Sequence, residues 1–528
     1  MGRLPRIWRH IGYDEINYTT TPTGEATLGR FAQLSDVPYH VRTHHLLCTG
    51  NGRGIPKWGS TNAYSEDNRG NPIYNWKTID EIFDTFLRHN CKPFVELGFI
   101  PLDLADLKGR EPSRPWGHWW YDGWSSPPKD YQKWHDLIHN LVEHCANRYG
   151  EEEASTWYWE LWNEPDLAYY WNGTIEEYCK LYDYTAAAVE VVLDKAQVGG
   201  PATTHRGHDW LDKFLDHCVN GTNHFTGRTG SRLDFISFHS KGTGYRPLWG
   251  RSSVEKQLPS SKRLLSQVVS GLDIVEKYPS LKGKRCILSE CDPDGMAAYG
   301  VGDNPNLNFR NTEYYPSYVV ANFKKLADIA DDYGREIDAL TWAFAFHGER
   351  CFEGTRSFTT NDVQKPLLNL FKMYSMLGDV RVQLTSSGAK NPMLGSDCCD
   401  AGEKPDIDGI ATISGNKSVA FLLYCHNDDW EARGEYQVCV EAANLPFEGS
   451  SVRLLHYRLD KDHSNAYTEW VRQGRPDYPT PSQNATIKST ENLELLEPET
   501  HVALIDGKFK KTVSIPVHGI SLLRISSK

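Results

Sequence analysis

The sequence predicts an α/β fold: a (β/α)8 TIM barrel over residues 1–378, followed by an antiparallel β-sandwich over residues 379–528. Three observations lead there. Up to about residue 378, short apolar runs alternate with helix-length amphipathic segments, giving eight strand candidates in series. Beyond 379 the runs are short, alternating or β-branched and are separated by Gly, Pro, Asn and Asp turns. A length of 528 residues exceeds one ordinary domain and suits a barrel with one accessory domain. No internal repeat or long flexible linker interrupts the chain, so the two parts are expected to form one rigid body.

The eight strands are read at 6–12, 39–46, 92–99, 156–163, 197–200, 233–239, 285–289 and 339–346. Helical patterns lie between them, including Ile79 to His89, Tyr131 to Tyr149, Thr174 to Leu193 and Tyr318 to Tyr333. Thr174, with Glu177 three residues on, reads as a capping box. Strand–helix units in series predict a closed parallel barrel whose reactive groups gather at the C-terminal ends of its strands. An open doubly wound sheet is the alternative. It would need a glycine-rich turn after the first strand, and Ile11-Gly12-Tyr13-Asp14 is not one. The sandwich strands are read at Val419 to Tyr424, Tyr436 to Glu441, Val452 to Leu459, Val502 to Ile505 and Ile520 to Ile525.

Composition narrows the partners. A net charge of -12, from 57 basic and 69 acidic residues with no Lys/Arg cluster, argues against nucleic acid, which needs a basic stripe. No run approaches the ~20 apolar residues of a membrane helix, and Met1 to Ile7 lacks an apolar signal core, so the chain as written is expected to be cytoplasmic. It would be secreted if it is a mature form, and only then would the sequons at Asn17, Asn172, Asn220, Asn416 and Asn484 matter. The 12 cysteines, including adjacent Cys398-Cys399, lack a disulfide-scaffold spacing and are expected to be reduced and structural. Oligomeric state is not legible.

The chemistry concentrates at two places. Trp157 to Trp162 is an aromatic run that delivers Asn163-Glu164 and stops at Pro165. A carboxyl at the mouth of a buried strand titrates high, which suits Glu164 to a general acid. A lone Glu of this kind is more simply a solvated strand-end carboxylate. The second place, Cys286-Ile287-Leu288-Ser289-Glu290, repeats the design and stops at Pro293. Two carboxylates at strand ends facing one pocket are the minimal apparatus for cleaving a glycosidic bond. A metal site is the competing use of such carboxylates, but no HExxH or CxxC pair is present. Since the two carboxylates complete the chemistry, no metal or organic cofactor is expected.

Trp159 to Asp166 together with Ser289-Glu290 is similar to the signature of the retaining glycosidases of clan A. Val41-Arg42-Thr43-His44, Lys92 to Phe99, Pro127 to Tyr131, Phe238 to Gly242 and Asn311 to Pro316 extend the likeness over most of residues 35–378. On these motifs the chain resembles glycoside hydrolase family 39, which contains β-xylosidases and α-L-iduronidases. The resemblance implies that Glu164 is the acid/base, Glu290 the nucleophile and Asn163 the partner of the sugar 2-hydroxyl. His44 is then a substrate contact, and His239 and Lys241 match a His-x-Lys pair whose lysine binds a uronate carboxylate in the iduronidases. Lys241 poses the substrate question, because a neutral pentose gives it no charge partner; a salt bridge to a local acid is the alternative. Trp342 is expected as an apolar platform under the sugar, and Glu96, Glu349 and Arg356 as further contacts.

The leading expectation is an exo-acting β-D-xylosidase cleaving xylo-oligosaccharides with retention. An α-L-iduronidase or α-L-arabinofuranosidase is the alternative within the family, and a non-catalytic carbohydrate-binding protein the alternative from another class. The tryptophan-rich loop Pro101 to Ser126, with Trp116, Trp119, Trp120 and Trp124, is expected to wall the pocket.

Overall fold

The computed structural model describes residues 2–34, 38–50, 59–110, 123–248, 254–297, 299–391, 404–415 and 417–527. Eight parallel strands close into a barrel: β1 (His10–Tyr13), β2 (Tyr39–Thr43), β3 (Cys91–Leu97), β4 (Tyr158–Leu161), β5 (Gln197–Thr203), β6 (Phe235–Lys241), β7 (Arg285–Asp292) and β8 (Ile337–Trp342). Each pairs with its sequence neighbour, and β8 closes on β1 through Leu340 opposite His10 and Trp342 opposite Gly12. Phe94, Tyr158, Phe235, Ile287, Leu340 and Trp342 pack as one cluster contributed by strands around the ring. The barrel is therefore filled by side chains, as small closed barrels are.

Most strand ends differ from the sequence reading by one to three residues, and two differ by four. The first strand begins at His10 rather than residue 6, because Gly2–Arg3 pairs instead with Val380–Arg381 and the Leu4 N–H donates to the Asp379 carbonyl. The last strand ends at Trp342; Phe344–Phe346 joins a separate small sheet with Ser357–Thr360.

The outer helices are α1 (Pro22–Ala32), α2 (Lys77–Arg88), α3 (Tyr131–Tyr149), α4 (Ile175–Val192), α5 (His208–Asn220), α6 (Ser261–Val275), α7 (Tyr314–Tyr333) and α8 (Pro366–Ser375). Asp130 caps α3 by accepting from the Gln132 and Lys133 N–H groups. The capping box of Thr174 and Glu177 starts α4. Helix α7 begins four residues before the apolar periodicity does, since Pro316 falls in its first turn, where a missing N–H costs nothing.

Past the barrel lie β9 (Val380–Val382), β10 (Asp406–Ser414), β11 (Ser418–His426), β12 (Glu435–Ala442), β13 (Ser451–Leu459), β14 (Thr500–Ala503), β15 (Phe509–Pro516) and β16 (Ile520–Ser526). One antiparallel sheet runs Gly2–Arg3, β9, β10, β11, β16, β13, with β14 also on β13, and β12 pairs with β15 in a second sheet. Strand β11 shows why its run is apolar throughout. Ala420, Leu422 and Tyr424 join the same hydrophobic core as the barrel and its helices, while Val419, Phe421, Leu423 and Cys425 fill the space between the two sheets. Barrel and sandwich thus share one continuous core.

Between β13 and β14 the chain makes an excursion with two short helices, α9 (Ala466–Arg472) and α10 (Pro481–Lys488), which the sequence reading did not contain. Ten described cysteines are unpaired, and all but Cys439 are buried. No described helix is long and apolar enough to cross a membrane. Cys398, Cys399, Trp116, Trp119 and Trp120 lie outside the described residues; Trp124 is buried edge-on against Phe99.

Candidate active site

Glu164 and Glu290 meet over the C-terminal rim of the barrel. After β4 the backbone turns sharply, with Trp162 at φ +68° and Glu164 at φ +47°, a region that non-glycine residues rarely occupy. The turn is held by the Trp162 N–H on the Leu97 carbonyl and the Glu164 N–H on the Ala202 carbonyl. On the opposite side, the pairing of β7 with β6 shifts register between Leu288 and Glu290. This irregularity sets Glu290 opposite His239 and Asp292 opposite Lys241. One carboxylate oxygen of Glu164, one of Glu290 and a ring nitrogen of His239 lie within 4.8 Å of one another.

The two carboxyls sit in opposite electrostatic settings. Burial, reinforced by the charge of Glu290, pushes Glu164 up to about 8. Glu290 is buried too, but the cations around it, Lys241 foremost, hold it far below the usual carboxylate range. Lys241 Nζ donates to its Oε2 at 2.6 Å, and Arg42 Nη1 lies 3.4 Å from its Oε1. His239 Nδ1 lies 2.9 Å from Glu164 Oε1, and burial lowers its imidazole to about 4. Near neutral pH, the site therefore pairs a protonated carboxyl with an ionised one. That is the combination which can protonate a leaving oxygen while attacking or activating a nucleophile from the other side.

Arg42, which the sequence reading quoted only as part of a motif, is the hub of the site. It is fully buried on β2, donating from Nε to Glu160 at 2.6 Å and from Nη2 to Asn163 Oδ1 at 3.1 Å, with Glu96 Oε2 3.0 Å from Nη2. Its charge is thus shared among Glu96, Glu160 and Glu290. The contact with Asn163 engages the oxygen end of that amide.

Asp292 was also not anticipated. Its Oδ2 accepts from Lys241 Nζ at 2.5 Å and lies 2.7 Å from Arg356 Nη1, while its Oδ1 accepts the Trp342 N–H at 2.9 Å. It links strand β8 and two of the expected residues to the environment of Glu290.

The remaining expected residues divide into two groups. His44 places Nδ1 2.7 Å from Glu96, with burial lowering the imidazole to about 4 and raising Glu96 to about 8. Trp342 is 2% exposed, with the Arg42 guanidinium 5.3 Å from its ring centroid and His44 edge-on at 5.5 Å. A Cβ on Gly12 would stand 2.6 Å from that indole, so this glycine leaves the room the ring needs. Glu349 stands apart: it accepts from Thr355 Oγ1 at 2.6 Å, and its main electrostatic partner is Lys365 rather than either catalytic candidate.

Among the described residues, two trios have donor atoms close enough to share a metal ion: Asp14, His44 and His45, and Glu164, His239 and Glu290. In the second, Lys241 and Arg42 already face the two oxygens of Glu290 and oppose a further cation.

The family profile of glycosyl hydrolases family 39 matches residues 4–503. The chain belongs to that family. A β-xylosidase of Geobacillus stearothermophilus is 27% identical to this family 39 chain, over 84% of it and 80% of its own length. The α-L-iduronidase of Mus musculus is 23% identical, over 94% of this chain and 74% of its own. The solved structure of a bacterial orthologue of human α-L-iduronidase shares the fold, with a TM-score of 0.79 at 20% identity over 100% of this chain and 82% of that one. The protein is a glycosidase of family 39 with a TIM-barrel fold.

Proposed function

We propose that this glycosidase is a retaining, exo-acting β-D-xylosidase working by double displacement, with Glu164 as acid/base and Glu290 as nucleophile. The observation that carries the mechanism is that one carboxylate oxygen of Glu164 and one of Glu290 approach to within 4.8 Å. Retaining enzymes hold the pair about 5–5.5 Å apart, whereas inverting enzymes need about 6.5–9.5 Å to admit a water between them.

In the first step Glu290 attacks the anomeric carbon while Glu164 gives its proton to the departing oxygen, leaving a glycosyl ester on Glu290. Ester formation removes the negative charge that helps raise Glu164. The acid therefore becomes easier to ionise just when it must take a proton from the incoming water. Asn163, its oxygen tied to Arg42, has its amide N–H groups for the sugar 2-hydroxyl, a bond that strengthens in the oxocarbenium-like transition state.

The sugar is read from charge. Lys241 is balanced by Glu290 and Asp292, and Arg356 by Asp292, so neither cation requires a uronate. An added carboxylate would also face two existing negative charges. The β-xylosidase relatives agree with a neutral glycone. One observation favours the second reading, α-L-iduronidase: Arg356 Nε is buried and has no hydrogen-bond partner among the described residues, which suits a further acceptor.

A panel of aryl β-D-xyloside, α-L-iduronide and α-L-arabinofuranoside discriminates them. Turnover of the xyloside at least tenfold above the others is the expected result, with "tenfold" meaning about 1.4 kcal/mol of transition-state preference. Turnover of the iduronide or arabinofuranoside without the xyloside would overturn the choice of sugar, and no turnover of any of them would favour a non-catalytic role.

A further inference from the structure

The excursion between β13 and β14 lies against the loop that follows β8. Tyr467 and Trp470 of α9 and Ile487 of α10 form a hydrophobic cluster with Cys351, Phe352 and Val363. Phe352 is wedged between two accessory-domain rings, 5.4 Å from Tyr467 and 5.1 Å from Trp470. Polar bonds surround the wedge. The Cys351 N–H donates to the Asp477 carbonyl at 2.8 Å, the Gln364 N–H to Glu491 Oε2 at 2.7 Å, and Lys488 Nζ to Asp362 Oδ2 at 2.6 Å.

The clamped loop is bent. Phe352 has φ +54°, and Gly354, at φ +83°, has no room for a Cβ, which would stand 2.5 Å from Val301. Such backbone persists only where its surroundings over-determine it. Two residues after Gly354 comes Arg356, flanked by Thr355 and Ser357, both of which accept from Lys365 Nζ. Arg356 then donates to the Asp294 carbonyl and pairs with Asp292, which holds Lys241 against Glu290.

We propose that the α9–α10 excursion of the accessory domain is a positioning element for the reaction: Tyr467 and Trp470 grip Phe352 and so fix the loop that places Arg356 on Asp292. The inference rests on the reading of Glu290 as nucleophile. Physically, Asp292 is shared between Arg356 and Lys241. If Arg356 moves away, Asp292 draws more of the Lys241 charge to itself, and Glu290 loses two sources of stabilisation for its ionised form.

The test is Trp470→Ala in the full chain, with Trp470→Phe as the conservative partner. Both are read by kcat, KM and the pH dependence of kcat/KM on whichever aryl glycoside is turned over. Trp470→Ala is expected to lower kcat about ten- to a hundredfold, as small misplacements remote from the chemistry do, with KM within about threefold. The acid limb of kcat/KM is expected to move to higher pH, and Trp470→Phe to recover most of both effects. Glu491→Ala, which frees the Gln364 N–H without opening the apolar cluster, is expected to move the acid limb in the same direction and decides the matter if Trp470→Ala does not fold.

A wild-type acid limb and kcat in the folded variants would overturn the clamp, as would a loss proportional to the unfolded fraction with the limb unmoved. The underlying reading is checked separately by azide rescue of Glu290→Ala. Rescue with an unmoved acid limb sinks the clamp alone, whereas absence of rescue sinks the role of Glu290.

Discussion

Replacing Glu290 by Gln should lower the pKa of Glu164, because it removes the negative charge while keeping the shape of the side chain. The nearest oxygens of the pair lie within 4.8 Å. At an effective dielectric of ~20, two unit charges at that spacing repel by about 3.5 kcal/mol, equivalent to ~2.5 pH units. Glu164, raised to about 8 in the intact protein, should thus fall by roughly that amount. It should stay above the ordinary carboxylate value, since burial is the larger cause of its elevation and is unaffected. Lys241 acts in the same direction, as its charge is no longer offset by Glu290. The assay is a carbon-detected NMR titration of the Glu164 carboxyl in wild type and Glu290→Gln. A Glu164 pKa that is unchanged, or that rises, would refute the claim that the two carboxyls are coupled and that esterification of one prepares the other.

Three further outcomes are expected. On the wild-type enzyme, kcat/KM should decline as pH rises through about 8, where Glu164 loses its proton, and persist on the acid side because Glu290 stays ionised below the usual carboxylate range; a basic limb near the ordinary carboxylate value would contradict this. Arg42→Met should destabilise the fold by about 3–5 kcal/mol in denaturant unfolding, since it leaves Glu160 buried without its cation; a loss under ~1 kcal/mol would show that the hub is dispensable for the fold. Lys241→Met should lower kcat on a neutral glycoside and move the acid limb upward, because Glu290 loses its closest cation; an effect confined to KM for a uronide would instead support the iduronidase reading.

The barrel was legible because its strands are continuous apolar runs, and Glu164 and Glu290 because each ends such a run before a proline. The charged network beneath them was not. Glu96, at the end of its strand, was expected only as a sugar contact; Arg42 and Glu160 interrupt apolar strands, where in a linear reading a charge looks like a solvent-facing position. The register shows otherwise: Glu96 lies directly beside Glu160, and Arg42 lies on the adjoining strand beside Phe94. Opposite charges breaking apolar runs on consecutive barrel strands were the available signal. Asp292 lies beyond the strand bound read at residue 289, next to the stop at Pro293, and was assigned no role. The excursion bearing Trp470 has no strand-like alternation and could be placed only by its contacts. Its short helices do not bury enough on their own to announce themselves.

The central claim is double displacement through Glu290, and the anomeric configuration of the first-formed product tests it most directly. Proton NMR during the early turnover of an accepted aryl glycoside should show the sugar released with the configuration of the substrate, the other anomer growing in only later by mutarotation. First appearance of the opposite anomer would contradict the account.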